Sequence, residues 1–300
     1  MAPRRVLVTG AGGYLAAALV PMLRRRLPRA RLTLAARRPR PGLRAADLAD
    51  PAAARKLVER ARPDLVFHLA GGRGASEPGA LWRDHVAAVL NVGAALVRAA
   101  PGARLVVAGS CAEYGAPPPG AVSEGVPPAP AAAYGRAKRA QTLAALSFAA
   151  EGLDVRVARL FNLSGPGTPE SLAPGAFAAQ AARLERAGGG VIRVGDLRPT
   201  RDYLDVRDAA EALLLLGLRG TPGAYNVCSG RAVPMSEVLR LVFAAARAPM
   251  KAVRDPARLR AAEVRGIVGS HARLTRETGW RPRTPLARSL EDTLAWHRSR

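Results

Sequence analysis

The chain predicts an α/β fold, a doubly wound parallel sheet with a smaller C-terminal α/β lobe, and three observations carry that prediction. Short, continuous apolar runs alternate with segments of helical periodicity as far as Asn162, the pattern of strands buried on both faces and the helices that cover them. The first apolar run ends in a glycine turn that opens directly into a helix. Beyond Asn162 the alternation loosens into Gly- and Pro-rich stretches, which suits a smaller lobe closing over a ligand.

Each element follows in order. Val6–Thr9 is an apolar strand, and Tyr14–Leu27 has apolar residues at helical spacing and ends in basic residues, as a helix C-terminus favours. Arg31–Ala36 reads as a second strand, Ala52–Ala61 as a helix, Leu65–Ala70 as a buried strand and His85–Ala99 as a helix. Arg104–Gly109 is a strand, the Pro- and Ala-rich 116–133 a loop at the site edge, Tyr134–Glu151 a helix and Val155–Asn162 a strand. Helices follow near Phe177–Arg186, Asp208–Leu218, Met235–Ala246 and Leu286–His297. The expected division is a sheet domain over residues 1–162, rejoined by 202–228, and a lobe formed by 163–201 and 229–300.

Composition narrows the function. With 300 residues, 49% hydrophobic and 23% charged, the chain has a globular composition and length enough for a sizeable core. No apolar run approaches a membrane span, and the N-terminus lacks the cleavage region of a secretory signal. Two cysteines, Cys111 and Cys228, make no disulfide framework and fit the cytoplasm, and the four scattered histidines argue against zinc. The net charge of +23 suggests an anionic partner. Only three of the 46 basic residues are lysines, however, and the arginines are spread along the chain without an aromatic RNA-binding pattern. The charge reads as a solvated surface biased toward anionic ligands rather than a nucleic-acid footprint.

Gly10-Ala-Gly-Gly13-Tyr14-Leu15 follows the first strand and opens the first helix. Gly10 permits a tight turn, Gly13 lets a pyrophosphate approach the backbone, and the helix N-terminus offers N–H donors, the Rossmann arrangement for a dinucleotide. The second strand ends in Ala36-Arg37-Arg38 with no acid beside it, so Arg37 and Arg38 suit a ribose 2′-phosphate and favour NADP(H) over NAD(H). Tyr134-Gly-Arg-Ala-Lys138 sets a phenol and an ammonium at i and i+4 on one helical face, a pairing expected roughly 0.05 times by chance at this composition. A nearby ammonium favours phenolate, which makes Tyr134 a usable proton donor near neutrality, and Ser110 at a strand end could bond the same substrate oxygen. The bland readings, a bare glycine turn and an exposed Tyr/Lys pair, lose weight because both motifs occur in one α/β frame.

TGAGGYLA, FHLAG, GSCAEYG and YGRAK resemble the extended short-chain dehydrogenase/reductase (NAD-dependent epimerase/dehydratase) family. RLFNLSGPG (159–167), RDYLDVRDAAEA (201–212), YNVCSG (225–230), LRAAEV (259–264) and TGWRPRTPL (278–286) extend the resemblance over about 5–297, nearest to GDP-6-deoxy-4-keto-hexose reductases of the GDP-rhamnose-forming type. The resemblance implies Ser110, Tyr134 and Lys138 as the catalytic set. It puts Asp47 and Leu48 at the adenine, Leu69, Ala70 and Gly71 along the cofactor, and Cys111, Asn162, Arg201, Arg260 and Glu263 at the substrate. His85 departs from the asparagine usual at its position, and Cys111 and Ala112 occupy places where dehydratases carry carboxylates. The expectation is an NADPH-dependent 4-ketoreductase of a GDP- or dTDP-linked 6-deoxy-4-keto sugar, a homodimer through a four-helix interface. A 4-epimerase with tightly bound NAD, and a regulator that binds cofactor or nucleic acid without turnover, stay open as alternatives.

Overall fold

The computed structural model describes residues 3–72, 77–258 and 266–300. β1 (Arg5–Thr9) leads into α1 (Tyr14–Arg26), then β2 (Arg31–Ala36), β3 (Arg44–Ala45), α2 (Pro51–Ala61) and β4 (Leu65–His68). α2 starts one residue before the expected Ala52: the Asp50 carboxylate accepts from the Ala52 N–H at 2.9 Å and Pro51 holds the first helical position. α3 (Pro78–Trp82) runs through a π-turn (Arg83–Ala87) into α4 (Ala88–Ala99). The helix expected from His85 therefore starts earlier and carries an extra residue per turn around His85, a local swelling frequently found at functional positions. β5 (Arg104–Ser110) ends in a 3-10 turn (Cys111–Tyr114), and β6 (Ala121–Val122) lies inside the segment expected to be loop. α5 (Ala133–Ser147) is continued to Glu151 by a 3-10 turn, and β7 (Asp154–Leu160) follows.

The expected strand 155–162 divides at Phe161. Asn162 instead begins β8 (Asn162–Ser164), which pairs in another sheet. There follow α6 (Ala173–Arg186), β9 (Gly190–Val194), β10 (Thr200–Asp205), α7 (Val206–Arg219), β11 (Gly223–Val227), β12 (Ala232–Pro234), α8 (Met235–Ala245), β13 (Met250–Arg254), β14 (Gly266–Gly269), α9 (Ala272–Thr278) and α10 (Leu286–Arg298).

Seven parallel strands in the order β11-β7-β5-β4-β1-β2-β3 form the main sheet, which reverses direction of winding between β1 and β4. α1 and α7 pack on one face against Val6, Val8, Phe67 and Tyr225, and α2, α4 and α5 on the other against Leu7, Val66, Leu105 and Val157. α7 thus packs on the main sheet and β11 forms its edge strand. Residues 202–205, expected to return with them, belong to β10, which pairs with β8, β12 and β14 in the second sheet. A separate apolar cluster joins α6, α8 and α10 over Ile192, Val194 and Tyr203 in the lobe.

The C-terminal ends of the sheet are tied by a buried polar network. In the 3-10 turn, Glu113 accepts from the Ser110 N–H at 3.0 Å with one oxygen and from Arg159 Nε of β7 at 3.0 Å with the other. Arg159 Nη1 donates to the Tyr114 hydroxyl at 2.9 Å, which donates to Asn226 Oδ1 of β11 at 2.8 Å. Asn226 Nδ2 then reaches the Val122 carbonyl of β6 at 2.8 Å. Every member finds a partner, the condition under which a buried ion pair is tolerated. Two histidines are also enclosed near this edge. His68 ends β4 with Nδ1 at 3.0 Å from Thr9 Oγ1, and His85 places Nε2 at 3.3 Å from the Gly72 carbonyl. Burial first, and then the Lys138 charge, pulls each imidazole down to about 3.

Two outcomes follow from this packing. Glu113→Ala strands the Arg159 guanidinium without its counter-ion, and urea unfolding is expected to show a loss of about 3–5 kcal/mol. The histidines bind protons in the unfolded chain below about 6.5 but in the folded chain only near 3, so stability is complete above pH 6.5 and falls as pH drops below it. Melting temperatures between pH 7.5 and 5 are expected to decline, with a shallower decline in His68→Gln; a flat profile contradicts the buried neutral imidazoles.

Candidate active site

The glycine turn follows β1 at the point where the winding reverses, the place in doubly wound sheets where a ligand crevice opens. Gly10 has φ +67°, and a Cβ there would stand 2.7 Å from the Leu69 and Ala70 backbone, so this position requires glycine. Close approach is what brings the turn and the β4 end together: the Leu69 N–H donates to the Thr9 carbonyl at 3.2 Å. Gly13 precedes α1 without a side-chain cap, which leaves the N–H groups of the first turn, from Tyr14 and Leu15 onward, to a ligand. The Tyr14 side chain points away, its hydroxyl 2.8 Å from Thr168 Oγ1, so the backbone of Tyr14 faces the turn while its ring fastens the lobe.

A cleft of about 130 Å³ runs from this turn and is lined by Gly10, Arg37, Asp47, Leu48, Ala70 and Gly71, all expected from sequence, together with Asp84. Arg38 is exposed and outside that lining, whereas Arg37, also largely exposed, borders the cleft. Arg37 Nη1 pairs with Asp84 at 2.7 Å, so the ribose end of the cleft has an acid after all, delivered by the π-turn. Arg40 was also missed from sequence; its Nη1 donates to the Gly12 carbonyl at 3.2 Å, laying positive charge over the glycine turn. The glycine cradle, the uncapped helix and these arginines fit a dinucleotide with a pyrophosphate at α1 and an adenosine in the cleft.

A larger cleft of about 580 Å³ opens between the sheet edge and the lobe, lined by Cys111, Ala112, Tyr134, Asn162 and Arg201 among others. Gly135 makes this geometry possible, since a Cβ there would run into the Ala112 carbonyl, and so α5 lies directly on the 3-10 turn with Tyr134 beside it. Ser110 lies at the turn's start, 5% exposed, and its Oγ accepts from the Ala112 N–H at 3.2 Å. One turn below Tyr134, Lys138 Nζ donates to the Ala108 carbonyl at 2.6 Å and Gln141 Oε1 at 2.8 Å. The His85 ring meets Tyr134 edge-on with centroids 5.7 Å apart.

The lobe brings Asn162, its Nδ2 3.3 Å from the Asp202 carbonyl, and Arg201, whose Nη1 donates to the Thr200 carbonyl at 2.8 Å. It adds Arg193 and Arg258, which the sequence reading did not single out because an arginine-rich chain offers many equal candidates. Arg260 and Glu263 lie outside the described residues. The one acid of the turn faces inward: the 111–114 segment is a 3-10 turn, and Glu113 is fully buried against Arg159. Among the described residues there is no cluster of metal-binding side chains, and no helix is long and apolar enough to cross a membrane.

Known proteins are similar to this chain in sequence and fold. GDP-6-deoxy-D-mannose reductase of Pseudomonas aeruginosa is 36% identical over 251 residues, 79% of this chain and 81% of that protein. dTDP-6-deoxy-L-talose 4-dehydrogenase (NAD(P)(+)) of Kitasatospora kifunensis is 32% identical over 267 residues, 85% of this chain and 83% of that protein. The solved structure of RMD from Pseudomonas aeruginosa complexed with NADPH superposes with a TM-score of 0.86 at 30% identity, covering 98% of each chain. The model of the NAD dependent epimerase/dehydratase family matches residues 6–228, so the glycine turn at Gly10, the Tyr134/Lys138 helix and the sheet that joins them place this chain in that family.

Proposed function

We propose that the protein is an NADPH-dependent 4-ketoreductase acting on a nucleotide-activated 6-deoxy-4-keto sugar, GDP- or dTDP-linked. One observation carries this reading. The wall of the larger cleft offers Tyr134 with Cys111 and Ala112, while Glu113 of the same turn is committed to Arg159. Reduction of a ketone needs a hydride and one proton; dehydration at C5 and C6 needs a further acid/base, which this turn does not present. The printed names of the reductase and 4-dehydrogenase relatives support a sugar-nucleotide substrate, and the NADPH-bound neighbour supports the cofactor.

The glycine turn would hold the pyrophosphate and the small cleft the adenosine of a reduced dinucleotide, which would supply the hydride for the sugar C4. Tyr134 Oη donates its proton to the C4 oxygen as negative charge develops there. Ser110, whose Oγ already accepts from Ala112, has its hydroxyl hydrogen left to donate to the same oxygen and orient the carbonyl. Lys138, anchored on Ala108 and Gln141 one turn below Tyr134, would hold the nicotinamide ribose with its ammonium. Arg193, Arg201 and Arg258 supply guanidinium forks for the diphosphate, with Asn162 between them and the sugar. Two buried free thiols suit a reducing compartment, and we assign the protein to the cytoplasm.

We also propose a homodimer. Trp82, Leu90 and Leu143 are exposed on α3, α4 and α5 at 47%, 41% and 53%, on adjoining helices of which α4 and α5 cover the sheet with their other faces. The Leu143→Arg variant is expected to be monomeric by light scattering at micromolar concentration where the wild type is a dimer; a monomeric wild type rejects the interface.

The activity test is NADPH oxidation with GDP- and dTDP-4-keto-6-deoxy sugars. Tyr134→Phe is expected to bind NADPH normally and to lose at least ~10²-fold in kcat, because only the proton donor is removed. Conversion of GDP-mannose or dTDP-glucose with NADP⁺ to a 4-keto-6-deoxy product, or near-normal turnover in the variant, would reject this assignment.

A further inference from the structure

Four side chains alternate in charge along the rim of the smaller cleft. Arg37 Nη1 donates to Asp84 Oδ1 at 2.7 Å, Arg83 Nη1 lies 3.5 Å from the same oxygen, and Arg83 also pairs with Asp47. Asp84 is the most enclosed member, 17% exposed against 53% for Arg37 and 51% for Arg83. It reaches the end of β2 only because the π-turn between α3 and α4 lifts it there, and it shares the cleft wall with Arg37 and Asp47.

We propose that Asp84 sets the balance between NADPH and NADH, competing with the ribose 2′-phosphate for Arg37 and offering its carboxylate to an unphosphorylated ribose. The inference rests on the reading that this cleft takes the adenosine end of the dinucleotide. A 2′-phosphate is an anion with strong acceptor oxygens, and Arg37 is the guanidinium of the cleft wall able to fork onto it. To do so, Arg37 must leave Asp84 Oδ1, and the phosphate then stands beside a second anion. A ribose diol carries hydrogens to donate, which a carboxylate accepts and a guanidinium does not. Both effects act in one direction and hold the preference for NADPH below what an unopposed arginine would give. Arg83 makes the exchange feasible, since it stays against Asp84 after Arg37 has turned to the phosphate.

Nicotinamide fluorescence gives the dissociation constants of NADPH and NADH for the full chain, without turnover. In Asp84→Asn, NADPH is expected to tighten at least about threefold and NADH to weaken, moving the ratio of the two constants by about tenfold, the scale of one charge-assisted hydrogen bond. Asp84→Ser tests the same loss of charge in case the asparagine variant folds poorly. In an Arg37→Gln background the gain for NADPH is expected to disappear, because the two residues act as a pair. Weaker NADPH binding in Asp84→Asn would show that the acid merely orients Arg37, and a ratio unchanged within about twofold would show that it faces solvent; either result overturns the inference. A wild type that binds neither dinucleotide overturns the cofactor reading, and this inference with it.

Discussion

The buried contact between Glu113 and Arg159 is the constraint on which the site depends. A carboxylate and a guanidinium removed from water are tolerated only when further hydrogen bonds satisfy them, and here the Ser110 N–H donates to Glu113, Arg159 donates to the Tyr114 hydroxyl, and that hydroxyl donates on to Asn226. The result is that β5, β7 and β11 end in one fixed polar knot. Ser110, which ends β5 and caps the 3-10 turn, inherits its position from it, and α5 is laid against the same turn through Gly135. The knot also withdraws the one acid of that turn from the cleft, so a single arrangement both places the hydroxyl and removes a competing acid/base.

Division of labour between the two domains follows from the sheet. Parallel strands present their C-terminal ends to one edge, and the reversal between β1 and β4 opens a crevice there, where the glycine turn and the Leu69–Gly71 segment meet. The lobe, built on its own core of α6, α8 and α10, supplies the opposite wall and most of the positive charge. Crossing points tie the two: β8 pairs with β10 immediately after β7 leaves the main sheet, and Tyr14 at the start of α1 bonds to Thr168. Strand pairing thus fixes the lobe's Asn162 and Arg201 relative to each other, while the turns at 111–114, 170–172, 195–197 and 257–258 complete the wall of the larger cleft.

The arginine-rich composition is used more locally than the net charge suggests. Arg37, Arg83, Arg159, Arg183 and Arg207 each sit against a carboxylate, so much of the positive surplus is neutralised residue by residue. What distinguishes an arginine of the site is the cleft it lines, not its presence in a basic chain.

Most of the fold was legible in sequence because its signals are local. Apolar runs marked β1, β2, β4, β5 and β7 of the main sheet's seven strands, and the spacing of Tyr134 and Lys138 placed both on one turn of α5. The glycine at position 10 announced a tight turn, which its φ of +67° bears out. What stayed hidden depends on residues distant in the chain. The acid that meets Arg37 comes from 47 residues further on, carried by a π-turn that no periodicity signals. Glu113 turns inward because its partner lies 46 residues away on β7, and Asn162 belongs to the second sheet because β10 is there to pair with it. Sequence by itself determined the frame, the glycine turn and the tyrosine–lysine pair, since each follows from neighbours within a few residues. Tertiary structure alone decided which charges meet and which carboxylate faces a cleft, since electrostatic partners are chosen by separation in space, and strand crossovers erase any relation between that separation and position along the chain.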